Sequence, residues 1–130
     1  MTMMLRPLFI FVVAFVFNVA WENLHAVLYA NYKGGSITEK VLLHATFIDA
    51  LIITGCFFLV MFLPSRFAWY VFATLLLGIA IGIEWWALST LRWSYRASMI
   101  LVPLIKTGVS PTLQLTLTGS LAWFLVSMIF

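Results

Sequence analysis

Charged residues are scarce in this chain of 130 residues: seven Lys and Arg and four Asp and Glu make up only 8% of it. Soluble domains carry about 25% charged residues, so this composition excludes an ordinary soluble domain. A mean hydropathy of +1.13 and 65% hydrophobic residues instead predict an integral membrane protein, folded as one membrane domain over residues 1–130. No basic patch lies on a soluble face, so we expect no nucleic-acid partner.

Cysteine is nearly absent as well. Cys56 is alone and lies within an apolar run, which excludes an internal disulfide and is typical of a small packing residue. The N-terminal apolar run also lacks an A-x-A cleavage pattern, and it continues into Trp21 and Glu22. We therefore expect this run to be an uncleaved first helix and not a signal peptide.

Four apolar runs predict an all-α bundle of four transmembrane helices. The expected spans cover residues 7–29, 39–63, 67–88 and 111–130. Between the last two lies segment 89–110, in which aromatic, basic and proline residues predict an interfacial helix or a re-entrant loop. Thr38 and Ser110 are the expected N-caps of the second and fourth helices.

A polar stripe interrupts the first apolar run. Asn18, Glu22 and His25 follow the spacing i, i+4, i+7, which places them on one face of a helix. A carboxylate in hydrocarbon costs roughly 3 kcal/mol or more. We therefore expect the stripe to have partners or a function.

The polar residues of the other helices fall on the same side of the bundle, because antiparallel connectivity puts turn 33–40 and segment 89–110 at one end. They are His44, Asp49, Glu84 and Gln114. Each lies within about ten residues of its helix end, or ~15 Å at 1.5 Å per residue. The sequence therefore predicts a one-sided polar pocket under segment 89–110.

Such a pocket favours acid–base chemistry on a lipid or isoprenoid-like substrate. One carboxyl group would protonate a double bond, and aromatic rings would stabilise the resulting carbocation. The expected catalytic residues are Glu22, Asp49 and Glu84. The expected substrate-binding residues are Asn18, Trp21, Arg92, Tyr95, Arg96 and Gln114, with the two arginines either holding an anionic head, neutralising Glu84 or simply anchoring the loop.

A metal site is the second chemical hypothesis. Glu22-x-x-His25 presents a carboxylate and an imidazole on one helix face, and His44 and Asp49 would complete a shell suited to a divalent Zn, Fe or Mn ion. A di-iron site would need a second Glu-x-x-His, which the chain lacks, so a mononuclear site is the expectation. Haem held by His25 and His44 is the weaker alternative, since no attachment motif is present.

Two short segments resemble a known family. Trp93-Ser-Tyr95 and Pro111-Thr-Leu-Gln114 look like the W-x-Y and Pro-x-Glu-Glu segments of small membrane lycopene cyclases. Leu113 and Gln114 stand where that family has its acidic pair, so the resemblance omits the catalytic part of the motif. It assigns no family.

A non-catalytic role is the main alternative to an enzyme. The chain would then be a small subunit or assembly factor of a larger membrane complex, and its polar residues would form hydrogen bonds that hold the helices together. The G-x-x-x-G of Gly78 and Gly82 would allow close helix approach, including in a homo-oligomer. A transport path is disfavoured, because the polar residues stop in one half of the bundle.

The distribution of Lys and Arg predicts the orientation. Turn 33–40 and segment 89–110 carry more of them than the opposite side, which places these loops in the cytoplasm. A bacterial inner membrane, with its lipids as partners, is the expected location.

Overall fold

The computed structural model describes residues 2–130 and consists of four long helices. They are α1 (Thr2–His25), α2 (Glu39–Val60), α3 (Ser65–Ser89) and α4 (Val109–Ile129). All four are long and apolar enough to cross a membrane. The prediction of an all-α membrane bundle with four spans is therefore confirmed.

The helices form a ring in chain order. Helix α1 packs on α2 and α4, and α3 packs on the same two helices, so α1 and α3 lie diagonally across the bundle. Arg6 Nη2 donates a hydrogen bond of 3.1 Å to the carbonyl oxygen of Phe130, which brings the two ends of the chain together. Residues 26–38 and 90–108 therefore meet at the opposite end, as the connectivity predicts; we call this the loop end.

A two-stranded sheet closes the loop end. Helix α1 stops at His25, before the expected end at residue 29, and a 3-10 turn over Ala26–Leu28 leads into strand β1 (Tyr29–Tyr32). Strand β1 pairs antiparallel with β2 (Trp93–Tyr95) from the other loop. Aromatic residues suit a strand, and this partner from a distant part of the chain favours the extended form over another helical turn.

Residues 90–108 contain no helix, so the loop is the form that the structure adopts for segment 89–110. Helix α4 begins one residue before the expected N-cap Ser110, with Gly108 at the cap position instead. Ser110 lies within the first turn, where its hydroxyl contacts α1. The other expected cap is present, because the Val41 N–H donates to Thr38 Oγ1 over 3.3 Å.

The half of the bundle away from the loop end has an apolar core. Its fully or almost fully buried members include Ile10, Ala14, Ile53, Phe72, Leu76, Ala122 and Val126. Gly119 permits the close approach of α3 and α4 there, since a Cβ at that position would lie 2.6 Å from Leu76 Cδ1. Gly78 and Gly82 are exposed, with nothing within 4 Å of an added Cβ. They lie on a different face of α3 from the buried Glu84.

Candidate functional site

A cavity of about 360 Å³ lies between the four helices at the loop end. Small-molecule sites commonly have about 300–1,000 Å³, so this cavity is large enough for a ligand. Seven of the predicted site residues line it: Glu22, His25, His44, Asp49, Glu84, Arg92 and Gln114. The structure therefore brings together residues from all four helices and from the loop after α3.

Two carboxyl groups from neighbouring helices meet in this cavity. Glu22 of α1 and Asp49 of α2 both contact the side-chain nitrogen of Gln114, over 2.7 and 2.9 Å, so the two carboxyl groups are neighbours. Two carboxyl groups can hydrogen-bond to each other only when one of them carries a proton, because an ionised carboxylate has no donor. Two neighbouring carboxyl groups favour a single shared proton, because two adjacent negative charges would repel each other.

The amide of Gln114 holds the pair in place. Its Nε2 lies 2.7 Å from Glu22 Oε1, 2.9 Å from Asp49 Oδ2 and 2.9 Å from Asn18 Oδ1. An amide nitrogen has only two hydrogens, so these three acceptors cannot all receive a full bond at once. Gln114 therefore orients both carboxyl groups and leaves part of their hydrogen-bonding capacity free.

A second chain of contacts orients His25. Its Nε2 lies 3.2 Å from Glu22 Oε2, and its Nδ1 lies 2.9 Å from Ser110 Oγ. These three residues have the order of a Ser–His–carboxylate triad, but Ser110 is outside the cavity lining and also accepts the indole N–H of Trp21 over 3.1 Å. The serine thus fixes the imidazole against Glu22.

Glu84 has a different environment from the Glu22–Asp49 pair, because aromatic side chains surround it with donors. The Tyr29 hydroxyl lies 3.3 and 3.4 Å from its two oxygens, and Trp93 Nε1 lies 3.2 Å from Oε2. Tyr95 also donates its hydroxyl to Oε2 and accepts the Gly108 N–H over 3.0 Å. Glu84 therefore ties both strands and the start of α4 to α3.

The two tyrosines that contact Glu84 are poor acids. Burial, together with the negative charge of Glu84, raises the pKa of Tyr29 well above its usual range. Burial and the hydrogen bond to Glu84 raise the pKa of Tyr95 in the same direction. Both phenols therefore keep their protons and remain donors to Glu84 at physiological pH.

Four of the predicted substrate-binding residues lie outside the cavity lining. They are Asn18, Trp21, Tyr95 and Arg96. Asn18 is fully buried, with its Nδ2 donating to Thr118 Oγ1 over 3.1 Å. Arg96 is exposed and donates from Nε to the Tyr29 carbonyl oxygen over 3.0 Å. These residues support the site, whereas Arg92 and Gln114 face the cavity.

The expected metal ligands share the cavity, but their arrangement does not fit a metal ion. Within residues 2–130, no three His, Cys, Asp or Glu side chains are grouped as a metal site requires. His25 directs its two nitrogens at Ser110 and Glu22, and His44 lies on an exposed part of α2. The grouping of side chains therefore does not support the Zn, Fe or Mn hypothesis.

Tyr29 and Trp93 line the cavity but are not among the site residues predicted from the sequence. A usable signal exists in Trp93-Ser-Tyr95, since residues i and i+2 of a strand point to the same face. In the structure both of these side chains reach Glu84. The position of Tyr29 has no such signal, because it depends on pairing between two loops far apart in the chain.

No protein-family model matches this chain, and no curated protein or solved structure matches it. The resemblance of residues 93–95 and 111–114 to lycopene cyclases therefore stays an expectation. Function has to be inferred from the cavity itself.

Proposed function

We propose that the protein is a small membrane-embedded enzyme that uses acid–base chemistry on a lipid or isoprenoid-like substrate. One observation carries this proposal: the Glu22–Asp49 carboxyl pair opens into a cavity with otherwise largely apolar and aromatic walls. A proton shared between two carboxyl groups is available to a substrate, and an apolar cavity selects an apolar substrate.

The proposed reaction begins when the protonated member of the pair delivers its proton to a carbon–carbon double bond. The resulting carbocation would lie near the rings of Tyr29 and Trp93, whose faces attract cations. Loss of a proton from a neighbouring carbon, to the vacated carboxylate or to Glu84, would restore a neutral product. The net change is an isomerisation or a cyclisation, which consumes no other reactant.

A non-catalytic subunit or assembly factor is the second candidate. It is favoured by the completeness of the polar network, since no buried side-chain nitrogen or oxygen in residues 2–130 lacks a hydrogen-bond partner. The exposed Gly78 and Gly82 would then contact another copy or another subunit. Polar pairs between membrane helices contribute only about 0.6 kcal/mol on average, so three carboxyl groups inside the bundle are a costly way to hold helices together.

The location forms part of the proposal. Five cationic residues lie at the loop end or in the adjoining first turn of α2, namely Lys33, Lys40, Arg92, Arg96 and Lys106. The opposite end has Arg6 and Arg66. This excess favours a cytoplasmic loop end in a bacterial inner membrane.

Deuterium transfer from the solvent tests the proposed chemistry. Purified protein in phosphatidylcholine vesicles is incubated with geranylgeraniol in D₂O, and the deuterium content of the recovered geranylgeraniol and its products is measured by mass spectrometry. We expect the wild type to incorporate deuterium, and Glu22→Gln and Asp49→Asn to lose roughly 100-fold or more of that rate.

Glu39→Gln is the matched control, because Glu39 is an exposed carboxyl at the start of α2. It should retain the wild-type rate. Deuterium incorporation in the wild type no faster than in a Glu22→Gln/Asp49→Asn double variant would overturn the proposal. A loss of the folded protein in Glu22→Gln, with no exchange in the wild type, would favour the structural role.

A further inference from the structure

Arg92 has an unusual position among the cationic side chains of this protein. It follows α3 directly, and the left-handed backbone of Leu91, with a φ of 57°, turns the chain so that the Arg92 N–H donates to the Ala87 carbonyl oxygen over 2.9 Å. Its own carbonyl oxygen accepts the Lys33 N–H over 2.5 Å. The backbone is therefore held on both sides, and the half-buried side chain lines the cavity.

No carboxylate of residues 2–130 lies within ion-pair distance of this guanidinium. Across residues 2–130 the one acidic–basic side-chain contact within 4.0 Å joins Glu22 to His25. Glu84 instead accepts hydrogen bonds from tyrosine hydroxyls and a tryptophan N–H. The Arg92 guanidinium instead lies over the ring of Trp86, with its central carbon 4.3 Å from the ring centroid. Neither a side chain nor a carbonyl of the described residues accepts from its N–H groups, so its donors are free for a ligand.

The polarity of the cavity changes along its length. Arg92 lies at the loop end, beside strands β1 and β2, and the carboxyl pair lies deeper in the bundle. The lining also contains apolar side chains, with Ala45, Ile48 and Ile83 among its members. It contains Glu84 as well, whose oxygens accept hydrogen bonds from side chains of both strands. A negative head placed deep in the cavity would meet the charge of the carboxyl pair, whereas at the loop end it would meet a cation.

We infer that the cavity binds an anionic amphiphile, with a phosphate or carboxylate head on Arg92 and the hydrocarbon tail directed toward the carboxyl pair. A planar guanidinium with free donors matches two oxygens of such a head. This inference deepens the proposed function and rests on it, since it names the substrate class of the same cavity. It also orients the substrate, so that the reacting double bond lies in the tail and not beside the head.

Arg96 provides a matched control. It lies four residues further along the same loop, carries the same charge and contributes equally to the orientation of the protein in the membrane. Its side chain is exposed, binds the Tyr29 carbonyl oxygen and is absent from the cavity lining. A difference between Arg92→Gln and Arg96→Gln therefore reports on the cavity and not on overall charge.

The test measures equilibrium binding, so that it does not depend on turnover. Farnesyl phosphate and farnesol are titrated into the full-length protein in neutral detergent, and affinity is read by native mass spectrometry. We expect the wild type to prefer the phosphate roughly tenfold or more, as charge-assisted hydrogen bonds would give. Arg92→Gln should reduce this preference to near unity, Arg92→Lys should retain part of it, and Arg96→Gln should retain all of it.

Other results would overturn the inference. Equal preference for the phosphate in the wild type and in well-folded Arg92→Gln and Arg92→Lys would show that the head lies elsewhere, and tighter binding of farnesol would show that the ligand is neutral. Competition by low-millimolar inorganic phosphate alone would assign a free-anion site that needs no tail. Glu39→Gln, at an exposed carboxyl outside the cavity lining, should bind farnesyl phosphate normally. If the phosphate preference depends on Arg92 as expected but the wild type shows no deuterium exchange, the proposed reaction fails while the amphiphile site stands.

Discussion

The two halves of the bundle are built from the same helices but have different contents. The half away from the loop end is filled by aliphatic and aromatic side chains that bury one another, including Ile53, Phe72 and Leu76. The loop-end half contains three carboxyl groups, a glutamine and two histidines around a cavity of about 360 Å³. One half is close-packed, whereas the other is hydrogen-bonded around a cavity.

We therefore expect the two halves of the bundle to have different roles along the membrane normal. Because the apolar half is close-packed, its buried methylene groups stabilise the fold, and substitutions there should change the free energy of unfolding. In the loop-end half the carboxyl groups partly face the cavity, so substitutions there should change the proposed binding and turnover of a ligand. Substitutions can test both statements, because the protein offers matched residues in each half.

The largest effect on stability is expected at Gly119, in the apolar half. A leucine there would force its Cβ to within 2.6 Å of Leu76 Cδ1, so Gly119→Leu should destabilise the folded protein by about 1–3 kcal/mol. Gly78→Leu is the control, since nothing lies within 4 Å of a Cβ at that position. Thermal melting in detergent measures both. Equal melting temperatures for the two variants would contradict the close packing of α3 on α4.

A smaller, local effect is expected at Tyr95, in the loop-end half. Tyr95→Phe removes the hydroxyl that joins Glu84 to the Gly108 N–H, a loss of about 1 kcal/mol. We expect faster amide hydrogen exchange in β1 and β2, with little change in the apolar half. Tyr70→Phe, on an exposed part of α3, serves as the control. Unchanged exchange in β1 and β2 would show that Glu84 does not hold the sheet.

The smallest effect is a dependence of stability on alkaline pH. Because the folded state raises the pKa of Tyr29 and Tyr95, it binds their protons more tightly than the unfolded chain, which releases them at about pH 10. Their contribution to stability should therefore be constant below about pH 10 and decrease above it. Melting temperatures across this range should fall less steeply in Tyr95→Phe than in the wild type, and an identical slope would count against the raised pKa.

Much of the architecture follows from local patterns in the sequence. Apolar runs gave the four spans, and the helical spacing of Glu22 and His25, together with alternating helix direction, indicated that polar residues meet at one end. The capping role of Thr38 was also predictable, because an N-cap depends on residues within four positions of one another in the sequence.

Features that depend on contacts between residues far apart in the chain could not be predicted from the sequence. Strand β1 forms because a partner lies in the loop after α3, and no property of residues 29–32 alone requires it. The close helix approach uses Gly119 and not the G-x-x-x-G of α3, because packing depends on the facing side chains. In the same way, Arg92 and Arg96 carry the same charge in the same loop, so the sequence alone does not show that only Arg92 lines the cavity.

The proton that we propose Glu22 and Asp49 share is central to this interpretation, and infrared spectroscopy tests for it directly. At neutral pH, the wild type should show the C=O stretch of a protonated carboxylic acid, shifted in D₂O. Glu22→Gln and Asp49→Asn should each lose this band, because an amide can donate to the remaining carboxylate, and Glu39→Gln should retain it. A wild-type spectrum without the band, or a band that survives both substitutions, would contradict the shared proton.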